Sequence, residues 1–283
     1  MGGFANLSLI LVPTPLGNLR DITLRALEVL RDADAIVAED TRVARRLLSA
    51  LNIPAPKLLH YDEHSARSTL DAIVERARTE TIAVVTDAGM PGISDPGVEL
   101  VRHARSEGVS IEVLPGPSAF VVAAVLSGFD LTRFAFEGFV PRAQRARRDA
   151  FSRALSSSLT TVWYDAPHRI AATLEALAEL APRTPVFVAR ELTKLHEQHL
   201  RGTAGEVLAA LEKPVRGEIV LVIGPMNIDA AAPAPSDEDI DRAIDAALLV
   251  GDSIAVIAKE LATRGLGERR ELYARASRRK QAK

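Results

Sequence analysis

One stretch of the chain constrains its fold more than any other: an apolar run followed by a loop rich in glycine, proline and aspartate. Residues 81–86 predict a buried strand, and residues 87–97 read DAGMPGISDPG. Proline fixes φ and removes a donor, while glycine permits positive φ and brings no Cβ, so the loop is neither regular helix nor sheet. In open α/β sheets, ligands bind at the carboxyl ends of strands. We therefore predict a binding loop; a structural pair of turns is the alternative.

Two further predicted strands end in the same way. Residues 7–12 lead into PTPLGN, and residues 111–114 lead into PGPS. The helix candidates of this part are residues 22–33, 41–51, 66–78, 97–107 and 119–126, and two other strand candidates are residues 35–38 and 57–61. Alternating strands and helices predict a largely parallel sheet with helices on both faces. Because the carboxyl ends of such strands share one edge, the three loops can line one crevice.

The helix candidates carry two more specific expectations. Asp21 is suited to cap the start of the first helix. The helix at residues 119–126 is almost wholly apolar, which predicts burial on all sides.

Length and composition divide the rest of the chain. At 283 residues, it exceeds the usual size of one domain. We predict a first α/β domain at residues 1–127, a second with a mixed sheet at 128–226, a linker at 227–236, and a small, basic helical unit at 237–283. The unit has three short helix candidates, residues 238–249, 253–263 and 267–276, which are consistent with a helix-turn-helix-like module.

Several classes of protein are disfavoured by what the sequence lacks. There is no cysteine, which excludes disulfides and thiolate zinc sites and fits a cytoplasmic protein. No apolar run approaches the roughly 20 residues that span a membrane, so no membrane association is expected. The patterns G-x-G-x-x-G, G-x-x-x-x-G-K-[ST] and G-x-S-x-G are missing. The pairs His60/His64 and His196/His199 stand outside any H-E-x-x-H pattern, so we predict no metal site.

Positive charge is local, since the net charge is only -2. One cluster consists of Arg142, Arg145, Arg147 and Arg148, and residues 264–283 hold eight Lys/Arg against two Glu. Such clusters can neutralise RNA phosphates. A solvated helix face and a solubility tail are the alternatives.

Eight ordered segments resemble one family. They are VPTPLGNLRDITLRAL, AEDTR, TDAGMPGISDPG, PGPSA, GFVPR, YDAPHR, ARELTK and GEIVLVIGP, between residues 7 and 225. They resemble the bacterial 16S rRNA (cytidine-2′-O)-methyltransferases of the tetrapyrrole (corrin/porphyrin) methylase superfamily. The resemblance implies two α/β domains with a cleft for S-adenosylmethionine (SAM) between them. It also implies a homodimer that methylates the ribose of a decoding-centre cytidine in 16S rRNA of the small subunit.

The resemblance also assigns cofactor-binding residues. They are Pro15, Leu16, Gly17, Asp87, Ala88, Gly89, Ile93, Ser94, Asp95, Ser118, Ala119, Tyr164 and Gly224. Tetrapyrrole members usually carry G-x-G-P-G-D where this chain has P-T-P-L-G-N. This departure disfavours a corrin or siroheme substrate, although a small-molecule tetrapyrrole methylase of the same fold is the alternative function. A non-catalytic RNA-binding protein is the third hypothesis.

Four polar residues at strand ends are candidates for the chemistry. Asp40 and Arg42 lie in AEDTR, and Glu191 and Lys194 lie in ARELTK. A ribose hydroxyl is a weak acid, so a positioned base accelerates methyl transfer. Lys194 can serve as a base only if burial lowers its pKa. A helix cap at Asp40 and a structural Glu191–Lys194 ion pair are the alternatives.

Overall fold

The computed structural model of this chain describes residues 8–62, 64–95, 97–225, 237–250, 253–263, 266 and 268–281. It divides the chain into two compact units, Met1–Pro225 and Met226–Lys283. The predicted linker at residues 227–236 lies outside the described residues.

The first sheet of the larger unit is entirely parallel. Its strands are β1 (Leu9–Leu11), β2 (Ala35–Ala38), β3 (Lys57–His60), β4 (Ile82–Val85) and β5 (Ile111–Val113), in the order β3-β2-β4-β1-β5. All four pairings are parallel, with Leu9 opposite both Ile82 and Ile111. Every side chain of β1, β2 and β4 is buried, because helices cover both faces of the sheet. The alternation of strands and helices predicts this arrangement.

Four helices cover this sheet. They are α1 (Leu24–Asp32), α2 (Thr41–Ala50), α3 (Arg67–Arg76) and α4 (Gly97–Ser106). Leu9 and Leu11 pack into the core that contains Leu70 and Leu100, whereas Ile10 faces the core of Leu30 and Leu48. This alternation is the two-residue period of a strand.

The predicted cap of the first helix is wrong by two residues. Thr23 caps α1 and accepts the backbone N–H of Ala26 at 3.1 Å. Asp21 instead ends a short 3₁₀ turn (Leu19–Asp21), which Asn18 caps. The chain completes this turn before α1 begins, so Asp21 stands too early to cap it.

The second sheet is mixed. Its strands are β6 (Phe134–Phe139), β7 (Thr160–Asp165), β8 (Pro185–Arg190), β9 (Gln198–Thr203) and β10 (Ile219–Ile223), in the order β6-β7-β10-β8-β9. Only β6 and β7 pair in parallel. One face carries α6 (Gln144–Ser156), α7 (Ile170–Leu180) and α8 (Ala204–Ala210) around a core that contains Phe151, Trp163 and Leu174.

The apolar helix α5 (Ala119–Ser127) packs on the other face of this second sheet. Ala123 and Ala124 are buried there against Phe187 and Val220. The expectation of burial on all sides is wrong, because Val121, Val125 and Leu126 on the outer side are 45%, 65% and 42% exposed. A helix lying on one sheet buries only the face that meets it.

The smaller unit contains three helices among its described residues. They are α9 (Asp237–Val250), α10 (Ile254–Thr263) and α11 (Arg269–Gln281), so α11 extends five residues beyond its predicted end. Their shared core contains Ile244, Ile257 and Leu272. Arg275 pairs with Asp241 at 2.6 Å, and Arg279 pairs with Asp241 at 2.7 Å and with Asp245. Part of the basic charge of α11 is therefore neutralised by α9.

No helix in the described parts of the chain combines the length and apolar character needed to cross a bilayer.

Candidate active site

A cavity of about 330 Å³ lies in the larger unit and is lined from both sheets. The first sheet contributes the loops after β1, β2, β4 and β5. The second sheet contributes the ends of β6 and β7 and the start of β10. The lining residues are Leu16, Glu39, Thr86, Asp87, Ala88, Gly89, Met90, Ile93, Ser94, Asp95, Ser118, Ala119, Phe139, Tyr164, Asp165, Pro167, Gly217, Glu218, Ile219 and Val220. The three loops predicted to share a crevice all contribute.

Backbone hydrogen bonds join the loops after β1 and β4. The N–H of Thr14 donates to the carbonyl of Gly89 at 2.9 Å, and the N–H of Gly89 donates back at 3.0 Å. Gly89 has a φ of +84°, and a Cβ there would lie 3.3 Å from Leu16 Cδ2. The backbone at this position therefore favours glycine, and a side chain here would press on Leu16 in the cavity wall.

The loop after β4 is held by its own aspartate. Asp95 Oδ1 accepts the backbone N–H of Gly97 at 3.3 Å and also that of Gly92. Burial raises the pKa of Asp95, whereas these two backbone hydrogen bonds oppose the rise. Ser94, beside it, has a left-handed φ of +62°. These contacts fix the loop that forms one wall of the cavity.

Two aspartates lie near each other where β2 and β4 end. Partial desolvation and the negative charge of Asp40 raise the pKa of Asp87, while the Asp40 backbone, Arg46 and Arg42 oppose the rise. Asp87 lines the cavity, but Asp40 and Arg42 do not. Asp40 caps α2 and binds the Arg42 side chain.

An aromatic cluster of the second sheet includes Tyr164 and Phe139, which both line the cavity. The Tyr164 ring lies 5.0 Å from that of Phe136 and 5.5 Å from that of Phe139, both edge-on. Burial raises the pKa of Tyr164 to about 12, so its phenol remains protonated at neutral pH and can donate a hydrogen bond.

The two candidates on the loop after β8 lie beside the cavity lining rather than in it. Lys194 Nζ is 2.8 Å from Glu191 Oε1 and 3.3 Å from Glu218 Oε2. Burial lowers the pKa of Lys194, but the two glutamates outweigh it and raise that pKa overall. Lys194 thus lacks the lowered pKa that a lysine base requires. Burial raises the pKa of Glu191, but contacts with Lys194 and the Glu218 backbone outweigh it and leave the pKa lowered.

Ten of the thirteen predicted cofactor residues line the cavity; Pro15, Gly17 and Gly224 do not. A Cβ on Gly17 would meet Lys194, and one on Gly224 would meet Pro185 and Phe129, so both glycines serve close packing.

Sequence reasoning missed the contribution of Gly217 to Val220. Ile219 pairs antiparallel with Asp165, which brings the start of β10 to the edge where β7 ends. A rule that considers only carboxyl ends of strands overlooks such a segment.

The four arginines predicted to bind RNA lie on or just before α6 and outside the cavity lining. Arg142 and Arg145 are exposed, and Arg147 is half-buried. Arg148 is exposed but forms an ion pair with Glu179 at 3.1 Å.

In the described part of the chain, no three His, Asp or Glu side chains gather into a group that could hold a metal ion. His60 is 3.5 Å from Asp62, and His199 is 2.7 Å from Glu197.

Comparisons with known proteins agree with this architecture. The family model of Tetrapyrrole (Corrin/Porphyrin) Methylases matches residues 8–208. A ribosomal RNA small subunit methyltransferase I from Neisseria meningitidis serogroup B is 44% identical over 222 residues, which are 77% of this chain and 76% of that protein. A protein of the same name from Synechocystis is 37% identical over 267 residues, covering 94% of this chain and 95% of that protein, and so extends into the smaller unit.

A solved structure shares the fold. The uroporphyrin-III C-methyl transferase of Thermus thermophilus, complexed with S-adenyl homocysteine, matches 77% of this chain and 97% of its own. The TM-score is 0.54 and the identity is 23%.

Proposed function

Since this chain belongs to the tetrapyrrole (corrin/porphyrin) methylases, we propose that it transfers the methyl group of SAM to the ribosomal RNA of the small subunit. The acceptor is the ribose 2′-hydroxyl of a cytidine in the decoding centre of 16S rRNA. The observation that carries this proposal is the identity of more than 40% with proteins named ribosomal RNA small subunit methyltransferase I, over about three quarters of the chain.

SAM occupies the cavity in this proposal. A volume of about 330 Å³ falls within the range of small-molecule sites. The backbone approaches the cavity without a side chain at Gly89, and Asp87, Ser118 and the Tyr164 phenol offer polar contacts around a largely apolar space. This combination suits a cofactor with a charged sulfonium, a ribose and a flat base.

The chain's main chemical task is alignment. Methyl transfer is an in-line displacement from a sulfonium that is already activated, and holding the two reactants in line can contribute several kcal/mol. Among the four catalytic candidates, Asp40 and Arg42 lie beside the cavity wall at Asp87 and remain candidates for the RNA side of the cleft. The Arg42 side chain is 84% exposed, so its guanidinium can reach a phosphate.

RNA contacts are proposed for Arg142, Arg145, Arg147 and Arg148, assisted by the exposed cations of α11. Exposed basic side chains supply most non-specific affinity for nucleic acid. Arg142 and Arg145 are the strongest candidates, because Arg148 is already paired with Glu179.

We also propose a cytoplasmic homodimer. The exposed apolar side chains Val121, Val125 and Leu126 of α5 support a second copy of this chain as the partner, since apolar faces suit self-association. Light scattering tests this: a mass near 61 kDa, twice the 30.4 kDa chain, is expected at micromolar concentration, and the monomer mass alone rejects it.

Labelled SAM tests the proposed activity. The purified protein is incubated separately with undermodified small ribosomal subunits and with a uroporphyrinoid. Label at a ribose of 16S rRNA supports the proposal, whereas label only in the porphyrinoid supports the small-molecule alternative. Binding of RNA without transfer supports a non-catalytic RNA-binding protein.

A further inference from the structure

The loop after β8 joins the two walls of the cavity. Towards the first sheet, Thr193 Oγ1 accepts the backbone N–H of Asn18 at 3.1 Å. Towards the second sheet, Lys194 pairs with Glu218, at the start of β10, and Glu191 Oε1 accepts the Glu218 backbone N–H at 3.0 Å. We call these contacts, between residues 17–18, 191–197 and 217–218, the clasp.

Two residues of the clasp have an uncommon backbone conformation. Glu191 and Thr193 have left-handed φ values of +54° and +64°, which residues other than glycine rarely adopt. The Thr193 N–H donates to Glu197 Oε2 at 2.5 Å, and the Lys194 N–H donates to the carbonyl of Glu191 at 3.0 Å. Such a backbone persists where its surroundings fix it.

Two glycines give the clasp its close fit. A Cβ on Gly17 would lie 2.1 Å from Lys194 Cγ and 3.2 Å from the Leu192 carbonyl oxygen. A Cβ on Gly217 would lie 2.4 Å from the Glu191 side chain. Gly17 directly follows Leu16, which lines the cavity. Because Gly17 has no side chain, it leaves room for the aliphatic stem of Lys194.

We propose that Lys194 is a positioning residue. Through the clasp, it fixes the part of the cavity lining at Leu16 relative to the part at Glu218. Its stem packs on Gly17 and its ammonium holds both Glu191 and Glu218. This inference rests on the proposed function, because in-line methyl transfer is sensitive to alignment and a misplacement of about 1 Å can cost on the order of 100-fold in rate.

Two substitutions separate the charge of Lys194 from its stem, and a third serves as the control. Lys194→Met keeps the stem and removes the charge; we expect kcat on small subunits to fall by about 10- to 100-fold, with KM for the subunit changed by less than about threefold. Lys194→Arg keeps the charge and should retain kcat within about threefold of wild type. Lys57→Met, on the exposed start of β3, is the matched control and should leave kcat unchanged. Wild-type kcat in Lys194→Met, at an unchanged melting temperature, overturns the proposal.

A second pair of substitutions tests the contact itself. Gly17→Ala places a methyl group against Lys194 Cγ and should displace the lysine. We expect kcat to fall as it should in Lys194→Ala, which removes both the stem and the charge. The double variant Gly17→Ala/Lys194→Ala should lose no more kcat than either single variant, since both substitutions remove the same interaction. Losses that multiply in the double variant show two independent effects and contradict the clasp.

Amide hydrogen exchange keeps this test separate from the proposed activity. In Lys194→Met and Gly17→Ala, the Asn18 and Glu218 amides should exchange faster, because their acceptors sit on the loosened loop. If the wild-type protein methylates no ribosomal subunit, the proposed function fails, yet faster exchange still supports the clasp. Exchange at wild-type rates in both variants overturns the clasp, whatever the activity.

Discussion

The Asp40 carboxylate holds the Arg42 guanidinium at two points. Oδ1 lies 3.0 Å from Nε and Oδ2 lies 2.7 Å from Nη2, and Oδ1 also accepts the Arg42 backbone N–H at 2.7 Å. These hydrogen bonds, the side-chain contact first, keep the pKa of Asp40 far below its ordinary value of 3.8. A carboxylate so weakly basic is a poor proton acceptor. Asp40 is therefore better suited to orient Arg42 than to deprotonate a ribose.

The first prediction concerns this pair and pH. The folded-state pKa of Asp40 is depressed, so its contribution to stability is present above its unfolded pKa and is lost as pH falls towards the folded one. Asp40→Asn keeps an oxygen that can cap α2 but cannot titrate. In urea unfolding, the loss of stability below about pH 4 should be shallower in the variant than in wild type. Parallel curves down to acid pH would contradict the assignment.

The second prediction concerns Gly89 in the cavity wall. Gly89→Val places a β-branched side chain at a φ of +84°, with its Cβ 3.3 Å from Leu16 Cδ2. The added methyl groups should narrow the cavity. We expect calorimetry to show that the affinity for SAM falls at least about tenfold, which corresponds to about 1.4 kcal/mol of binding free energy.

Gly108→Val is its matched control. Gly108 also has a positive φ, +70°, but a Cβ there meets nothing within 4 Å, and it lies in the turn before β5. It should lose stability through backbone strain while binding SAM normally. Equal SAM affinity in both variants would place the cofactor away from Gly89.

The third prediction concerns RNA. Arg142→Gln combined with Arg145→Gln removes two exposed charges near the start of α6. The slope of log affinity for RNA against log salt should become shallower by about one unit per lost phosphate contact, with SAM affinity unchanged.

Arg78→Gln provides the control for lost charge. The Arg78 guanidinium is held by Glu75 at 3.0 Å and by Glu107 at 3.1 Å, in the turn region that precedes β4. Its removal should leave the salt slope unchanged. If the double variant at α6 behaves like this control, α6 does not touch the RNA backbone.

The first sheet could be predicted because its strands carry the strongest signal that a sequence offers. The central strands β1, β2 and β4 are buried on both faces and read as unbroken apolar runs. The strand β9 cannot be recognised in the sequence, for the opposite reason. Its sequence is QHLRGT, and it lies at the edge of the second sheet beside β8 alone, where few side chains need be apolar.

The candidate site could be predicted where glycine, proline and polar residues follow a strand. Gly89 and Gly17 both stand in such loops, but one faces the cavity and the other packs against Lys194. A glycine that admits a ligand and a glycine that admits a side chain look alike in sequence. Only the tertiary contact of Gly17 with Lys194, a residue 177 positions further along the chain, distinguishes the two glycines.

The last prediction concerns Asp165, the last residue of β7, which lines the cavity. Its side chain has no exposed surface and accepts hydrogen bonds from Arg169 Nη2 at 2.7 Å, Thr173 Oγ1 at 2.6 Å and the Ala166 N–H at 2.8 Å. Asp165→Ala leaves a guanidinium that is only 17% exposed without its carboxylate, so we expect a loss of about 3–5 kcal/mol in the free energy of unfolding.

Thr173→Val provides the comparison within the same network. The Thr173 side chain is buried, and valine has a similar shape, so this variant removes one hydrogen bond and should cost about 1–2 kcal/mol. Urea unfolding measures both changes. Asp165→Ala removes the carboxylate itself, whereas Thr173→Val removes only one of its partners, so the order of the two costs is the informative result. A cost for Asp165→Ala no larger than for Thr173→Val would mean that the Arg169 charge is satisfied without Asp165, and that the carboxylate does not hold this part of the cavity lining together.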